Sequence, residues 1–575
     1  MRETEEKFII SPCRELAAGE PAIRLRTPPG GRLEGTNISL KSPGTLDTQA
    51  FLWYDIHGLC NTVYFFSFKE FFMKKSRLTA GFLALLMLAQ LTLASCSNTG
   101  TGEQPNAGSA QPTATADETP VTPEETRIDP GLPERDFGGY DFRMLGKGTS
   151  NSHWKSMDLT AEELTGDAIN DAVFQRNTLV SERYNVNFVE YAVGDYFNQG
   201  KEFTSSVLSN SDDYDMAALK PDGVVSSFIS NGYVIELGTV PYMNLSQPWY
   251  DQNMIRQMSL GGKVYLVMGD MLTMDNDAIG AVFFNKKLSS NYNLENLYTL
   301  VDEGRWTIDK MTEFSAVAAQ DVNGDGAMKP MDDVWGALTE YSTTFALNSG
   351  AGVTMISKDG EDKPYVSAGE ERYTNMYEKV LKLQNNWDIA LYAESVGGYS
   401  DVWAECLDVI FESDRALFNI CWMNRASLFR DMETDFGIIP LPKYDDAQES
   451  YHSFVSMYCA NSIEIPKTAQ DLERTGIIIE ALSSESMYLL TPAYYDKTLK
   501  SKESRDEESS RMLDVIFATT IYDLGYMFNW GGICSTVGSM VGKAGGEISG
   551  YASALQRANK AISKNIEKDM KAILD

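Results

Sequence analysis

The decapeptide YDMAALKPDG, residues 214–223, decides how the chain is read. Met216 to Leu219 is a short, wholly apolar run, and Pro221-Asp222-Gly223 is a turn tripeptide that stops it. Upstream, after a helical stretch, YNVNFVEYAV (184–193) has strand character. Before that, Ile169, Ala172, Val173, Val180 and Tyr184 fall on one face of a helix. Order begins near Phe137, where Tyr140, Phe142 and Met144 alternate with polar neighbours as in a half-buried strand. This strand–helix–strand–helix–strand alternation predicts a mostly parallel sheet with helices on its faces. Open α/β sheets bind ligands beyond the carboxyl ends of their strands. The loop GKGTSNSHWKSMD (146–158), with His153 and Trp154, and the turn with Asp222 both lie at that end.

The rest of the chain continues the mixture, without internal repeats. Tyr373, Met376, Tyr377 and Val380 share a helical face, as do Met512, Leu513, Ile516, Phe517 and Thr520. A final helix runs through Tyr551, Leu555, Ala558, Ile562, Ile566 and Met570. ALFNICWMN (416–424) reads as a buried strand ending in an aromatic residue.

Composition narrows the function. The 575 residues carry a formal net charge of −32, which argues against nucleic acid, since phosphate binding needs a basic face. Hydrophobic content of 43% is enough for ordinary cores. The three histidines are His57, His153 and His452, and none sits in a nucleophile motif, which weighs against Ser-His-Asp or Cys-His chemistry. Cys406, Cys421, Cys459 and Cys534 show no zinc spacing. Pairing and free thiols both remain open for them.

An export signal sits at an unexpected place. Lys74, Lys75 and Arg77 precede an apolar run from Leu78 to Leu93, followed by Leu93-Ala94-Ser95-Cys96. Small residues before a cysteine are what a signal peptidase needs. The quartet resembles the bacterial lipobox, in which the cysteine is lipidated. Residues 73–95 are then a signal peptide and Cys96 the anchor. Because a signal must lead, Met73 is expected to be the true start. Residues 1–72 are read as translated upstream sequence or a disordered extension. Residues 96–135, rich in Thr, Pro, Ala, Gly and Glu, form a tether that cannot bury enough surface to fold.

Several stretches in order resemble one family: GAVFFNKKL (280–288), NLYTLVDEGRWTIDKM (296–311), SDRALFNICWMNRA (413–426), FGIIPLPKYDDAQESYHS (436–453), IEIPKTAQDLE (463–473) and AYYDKTLKSKESRDEESSRMLDVIF (493–517). They resemble the extracellular solute-binding proteins of sugar ABC importers, the family that includes maltose-binding protein, and most of all its large lipoprotein form common in Firmicutes. The resemblance spans roughly Phe137 to the C-terminus. It implies an α/β, two-lobed periplasmic-binding-protein fold of type II, with mixed sheets, helices on both faces and a hinge. One lobe would comprise 136–283 and 438–500, the other 284–437 and 501–575. It also implies a monomeric receptor anchored outside the cell by lipid, which hands a sugar or oligosaccharide to permease subunits.

A sugar offers flat C–H faces to aromatic rings and hydroxyls to carboxylates. Trp422, at the end of its strand, matches a sugar-stacking position of the family. Trp530, before Gly531-Gly532, is a second expected stacker. Trp154, Asp222 and Asp270 complete the expected ligand set, whereas Trp306 and Trp335 are expected to be structural. DVNGDGAMKPMD (321–332) has the front of an EF-hand loop: Asp321, Asn323 and Asp325 alternate before Gly326, and Ala327 offers its carbonyl. Lys329 and Pro330 depart from the pattern, and Asp332 replaces the usual Glu. The spacing predicts a structural calcium and no other cofactor. The leading expectation is a carbohydrate receptor without chemistry of its own. An exported glycan-degrading enzyme, or a receptor of the same fold for a non-sugar solute, are the alternatives.

Overall fold

The computed structural model describes residues 127–148, 154–194, 196–499, 507–543 and 548–574, together with the paired two-residue strands Ser11–Pro12 and Ile23–Arg24. The signal peptide, Cys96, His153 and most of the tether lie outside these residues. The chain divides into two units, Met1–Val121 and Thr122–Asp575. The second carries everything described below.

Its first half follows the expected alternation. Strand β1 (Tyr140–Gly146) leads to helix α1 (Ala168–Tyr184), β2 (Val186–Ala192), α2 (Tyr196–Leu208) and β3 (Met216–Leu219). Helix α1 starts at Asp167, whose carboxylate accepts from the amides of Ile169 and Asn170, and it stops at Asn185 in the left-handed conformation. Between them Ile169, Ala172, Val173, Val180 and Tyr184 are buried, the face that the spacing predicts. Strands β2 and β3 pair with β1 in parallel.

A second sheet is built from β4 (Gly280–Asn285), β5 (Trp335–Thr339), β6 (Ala390–Tyr392), β7 (Ala416–Trp422) and β8 (Phe436–Ile439), in the order β6-β5-β7-β4-β8. Strands β6, β5 and β7 run parallel, and β4 is antiparallel to both β7 and β8. Every residue of β4, β5 and β7 is buried, as expected of strands covered on both faces. Helices α3 (Ile308–Ala318) and α4 (Glu371–Gln384) cover this sheet, α4 against β6 and α3 against β5. The approach is so close that a Cβ on Gly336 would stand 2.2 Å from the carbonyl oxygen of Ser315. Trp306 and Trp335 are core residues here: Trp306 donates its indole N–H to Pro440 at 2.9 Å and packs on Phe418.

The chain then returns. Strand β9 (Ser462–Glu464) pairs antiparallel with β3 and completes the first sheet in the order β9-β3-β1-β2. Helix α5 (Leu472–Leu499) packs along α1, joining Leu490 and Tyr494 to Ile169, Ala172 and Val173 in a small core of their own. The molecule is thus a two-lobed α/β protein, each lobe organised by one sheet.

Positions 283/284 and 437/438, the expected lobe boundaries, fall inside β4 and β8, which are neighbours in the second sheet. Helix α6 (Glu507–Ala518) packs on β8. It ends before Thr520, which joins a two-residue strand, Thr520–Ile521, paired in parallel with Ser453–Phe454. The final helix α7 (Tyr551–Leu574) does not belong to one lobe. It touches the segment Ser226–Asn231 on the first and the strand Pro364–Val366 on the second.

Candidate functional site

The parallel strands of both sheets point their carboxyl ends at one cavity of about 440 Å3. From the first sheet come Trp154, in the segment after β1, and Asp222, in the turn after β3. From the second come Glu340, Tyr341 and Ser342 directly after β5, Glu394 after β6, and Trp422 and Arg425 at the end of β7. Tyr458 and Tyr526, on segments that run between the lobes, close the wall. Trp154, Asp222 and Trp422, three of the residues expected from sequence, therefore meet in one place.

Each is held by its own surroundings. The Lys147 ammonium donates to the carbonyl of Trp154, and buried Asp158 accepts from the Ser156 hydroxyl at 2.7 Å and the Thr273 amide at 2.7 Å, tying this loop to the body. Asp222 follows Lys220-Pro221, and its amide donates to Met457 at 3.1 Å. Burial raises its carboxyl above the usual range, and Lys220, 3.7 Å away, holds it down. Trp422 is 4% exposed and tilts against Phe454 with ring centres 6.2 Å apart.

The second lobe supplies most of the charge. Buried Glu340 accepts from the amides of Ser342 at 2.8 Å and Thr343 at 3.1 Å, and from the Ser342 hydroxyl. Burial, aided by the neighbouring Glu394, nevertheless lifts its pKa to about 7. Glu394 accepts from the Tyr341 amide at 2.9 Å and is itself raised by desolvation. Arg425 lies 5.0 Å from the centre of the Trp403 ring, with Asp408 at 3.4 Å from its Nε. The thiols of Cys459 and Cys534 also line the cavity, and burial pushes both upward, so they stay protonated. Cys406, Cys421 and Cys534 are free thiols.

The result is a cleft with aromatic faces from Trp154, Tyr341, Trp403, Trp422, Tyr458 and Tyr526, and hydrogen-bonding edges from Asp222, Glu340, Glu394 and Arg425. Aromatic rings take apolar faces and carboxylates take hydroxyl donors, so the arrangement suits a compact polyhydroxylated ligand.

Two expected ligand residues lie elsewhere. Trp530 is buried: its indole N–H donates to Asp569 at 2.8 Å and its ring stacks on Phe528 at 4.3 Å, so it fixes α7. Asp270 borders a separate cavity of about 180 Å3 with Asp251 and Asp275. There it accepts from the Thr491 hydroxyl at 2.6 Å, and burial raises its pKa to about 6. The loop 321–332 turns its acids on its own amides. Asp321 accepts from Gly324 and Gly326 at 2.8 Å each, Asn323 from Asp325 at 2.9 Å, and Asp325 from Ala327 at 3.0 Å and from the Lys329 ammonium. Asp332 is exposed. The buried neighbour Asp333, which sequence reasoning passed over, accepts from the Val322 and Lys329 amides and closes the loop. Among the described residues no group of three or more His, Cys, Asp or Glu side chains is placed to hold a metal ion.

Glu340, Tyr341, Glu394, Trp403, Arg425, Tyr458 and Tyr526 were missed. The rule that singled out Asp222 applies equally to WGALTEYS (335–342), an apolar strand followed at once by Glu340 and Tyr341. Tyr458 and Tyr526 carry no such signal, because no long strand precedes them.

No family model matches the sequence, and no curated protein matches it. Among solved structures the chain is similar to an ABC substrate-binding protein from Listeria monocytogenes in complex with cycloalternan, at 11% identity and a TM-score of 0.47, over 75% of this chain and 99% of that one. It is similar to UspC from M. tuberculosis at 14% identity and a TM-score of 0.48, over 74% and 100%. The maltose/maltodextrin-binding domain MalE from Bdellovibrio bacteriovorus, bound to maltotriose, is similar at 13% identity and a TM-score of 0.46, over 74% and 100%.

Proposed function

We propose that the chain is the substrate-binding receptor of a carbohydrate ABC importer, capturing a sugar or short oligosaccharide between its lobes without transforming it. The observation that carries this reading is the convergence of Trp154 and Asp222 from one sheet with Glu340 and Trp422 from the other on a single cavity of about 440 Å3. A ligand touching both walls would favour the closed arrangement, and closure is what a transporter can distinguish from the empty form. The finer parts of the reading are the signal peptide 73–95, a lipid on Cys96, a monomeric receptor at the outer face of the membrane, and handover to permease subunits. They rest on the lipobox-like quartet and the tether composition. The structural calcium at Asp321, Asn323, Asp325, Ala327 and Asp332 is proposed on spacing alone.

Titration calorimetry with a panel of mono- and oligosaccharides, beside product analysis of the same mixtures, tests the proposal. Saturable heat without product is expected. Release of shortened glycans would replace the receptor by an enzyme.

A further inference from the structure

In a chain of net charge −32, one cavity gathers three basic side chains. It measures about 440 Å3, is separate from the aromatic cleft, and has Arg256, Lys358 and His452 in its wall and no Asp or Glu. The remaining lining is largely hydroxyl and amide, including Asn253, Thr520 and Tyr522. Arg256 donates to the Asn253 side chain at 2.5 Å and forms no ion pair among the described residues. Lys358 meets Asp362 and also donates to the backbone carbonyls of Arg256 at 2.8 Å and Ser259 at 2.9 Å. The His452 ring forms no hydrogen bond among the described residues, and burial together with the Arg372 guanidinium lowers its pKa. Arg372 in turn donates to Ala351 and Gln448, not to an acid. The chain leaves deliberate room for the imidazole. Gly352 has φ +73°, and a Cβ there would stand 2.7 Å from His452 Nε2.

We propose that this cavity binds a small oxyanion, namely phosphate, sulfate or the phosphate of a phosphomonoester. An arginine presents planar paired donors that match such groups. An anion here would offset the repulsion between Arg256 and Lys358 and accept from the His452 ring. Arg256 belongs to the segment Gln252–Met258 before the passage into the second sheet, and Lys358 to the strand Ile356–Lys358 after it. An anion bound by Arg256 would sit where these two segments meet, through the bonds from Lys358 to Arg256 and Ser259, and would bias how they sit together. This site is independent of the carbohydrate reading, since it shares no lining residue with the aromatic cleft.

The test uses the full chain without sugar, titrated with sodium sulfate or inorganic phosphate against sodium chloride of equal ionic strength. Saturable binding and a raised thermal midpoint are expected for the oxyanions and not for chloride. Arg256→Gln, at an exposed side chain, is expected to weaken binding about tenfold. Arg256→Gln combined with His452→Gln abolishes it while leaving the unliganded midpoint and the far-ultraviolet circular dichroism close to those of the parent. A parallel titration with glucose 6-phosphate tells a free anion from an ester, and binding of either class supports the site. No saturable binding of any of the three, or equal binding by the double variant, overturns it.

Discussion

The Lys220 ammonium stands 3.5 Å from the centre of the Tyr458 ring. Tyr458 is 53% exposed, so its other face is open to the cavity, while Lys220 is almost wholly buried beneath it. The same ammonium lies 3.7 Å from Asp222, so one cation orients an aromatic platform and keeps a hydroxyl acceptor ionised.

Replacing Lys220 by Met therefore acts on recognition through Asp222. Burial already raises this carboxyl, and the ionised form is lost as pH falls through its raised pKa. Without Lys220 that loss begins at higher pH. Calorimetry at several pH values is expected to show sugar affinity in Lys220→Met falling off on acidification before that of the parent. Superimposable profiles would remove Lys220 from the site.

Tyr458→Ala and Trp530→Phe separate binding from stability. Tyr458 is an exposed ring with little packing to lose, so its removal is expected to lower sugar affinity about tenfold and barely move the thermal midpoint. Trp530→Phe deletes the bond to buried Asp569 and is expected to cost about 1–3 kcal/mol of stability with sugar affinity unchanged. Denaturant unfolding and calorimetry on both variants check the pair.

Glu340 gives a pH signature. Its folded pKa of about 7 lies above the ordinary glutamate value of 4.5, so the protonated form is the one the fold prefers. Its favourable contribution is complete below about pH 4.5 and is lost as pH rises through about 7, a span worth on the order of 3 kcal/mol. Glu340→Gln cannot ionise, so the drop in midpoint between pH 5 and pH 8 is expected to be smaller than in the parent. An equal drop in both would show that Glu340 is not desolvated.

The loop 321–332 is expected to respond to calcium. In the structure the Asp321 and Asp325 carboxylates accept from loop amides, and Lys329 contacts Asp325. Calcium would have to displace that lysine. A rise in midpoint with added calcium that vanishes in Asp321→Asn supports the site, and an unchanged midpoint removes it.

How much of this was legible beforehand depended on the range of the interactions. Period and turn chemistry are local, so β1, α1, β2 and β3 fall where spacing predicts, and the strand-end rule reached Trp154, Asp222 and Trp422. Trp530 and Asp270 misled because their partners are distant. Asp569 is 39 residues further on and Thr491 is 221 residues away, and nothing in a local window reveals either. Arg425 was within reach, three positions past Trp422 at the mouth of the same strand. Tyr458 and Tyr526 depend on how the returning chain lies across both sheets, which no local pattern encodes.

The last helix bears on how such a molecule could breathe. Because α7 leans on both halves at once, and Lys263 from the first reaches its Ile573 carbonyl, that flank is buttoned shut. Any gaping must then happen on the opposite flank, as a book opens away from its spine. A peptide tag carried beyond this helix would hang beside the binding of that book rather than its pages.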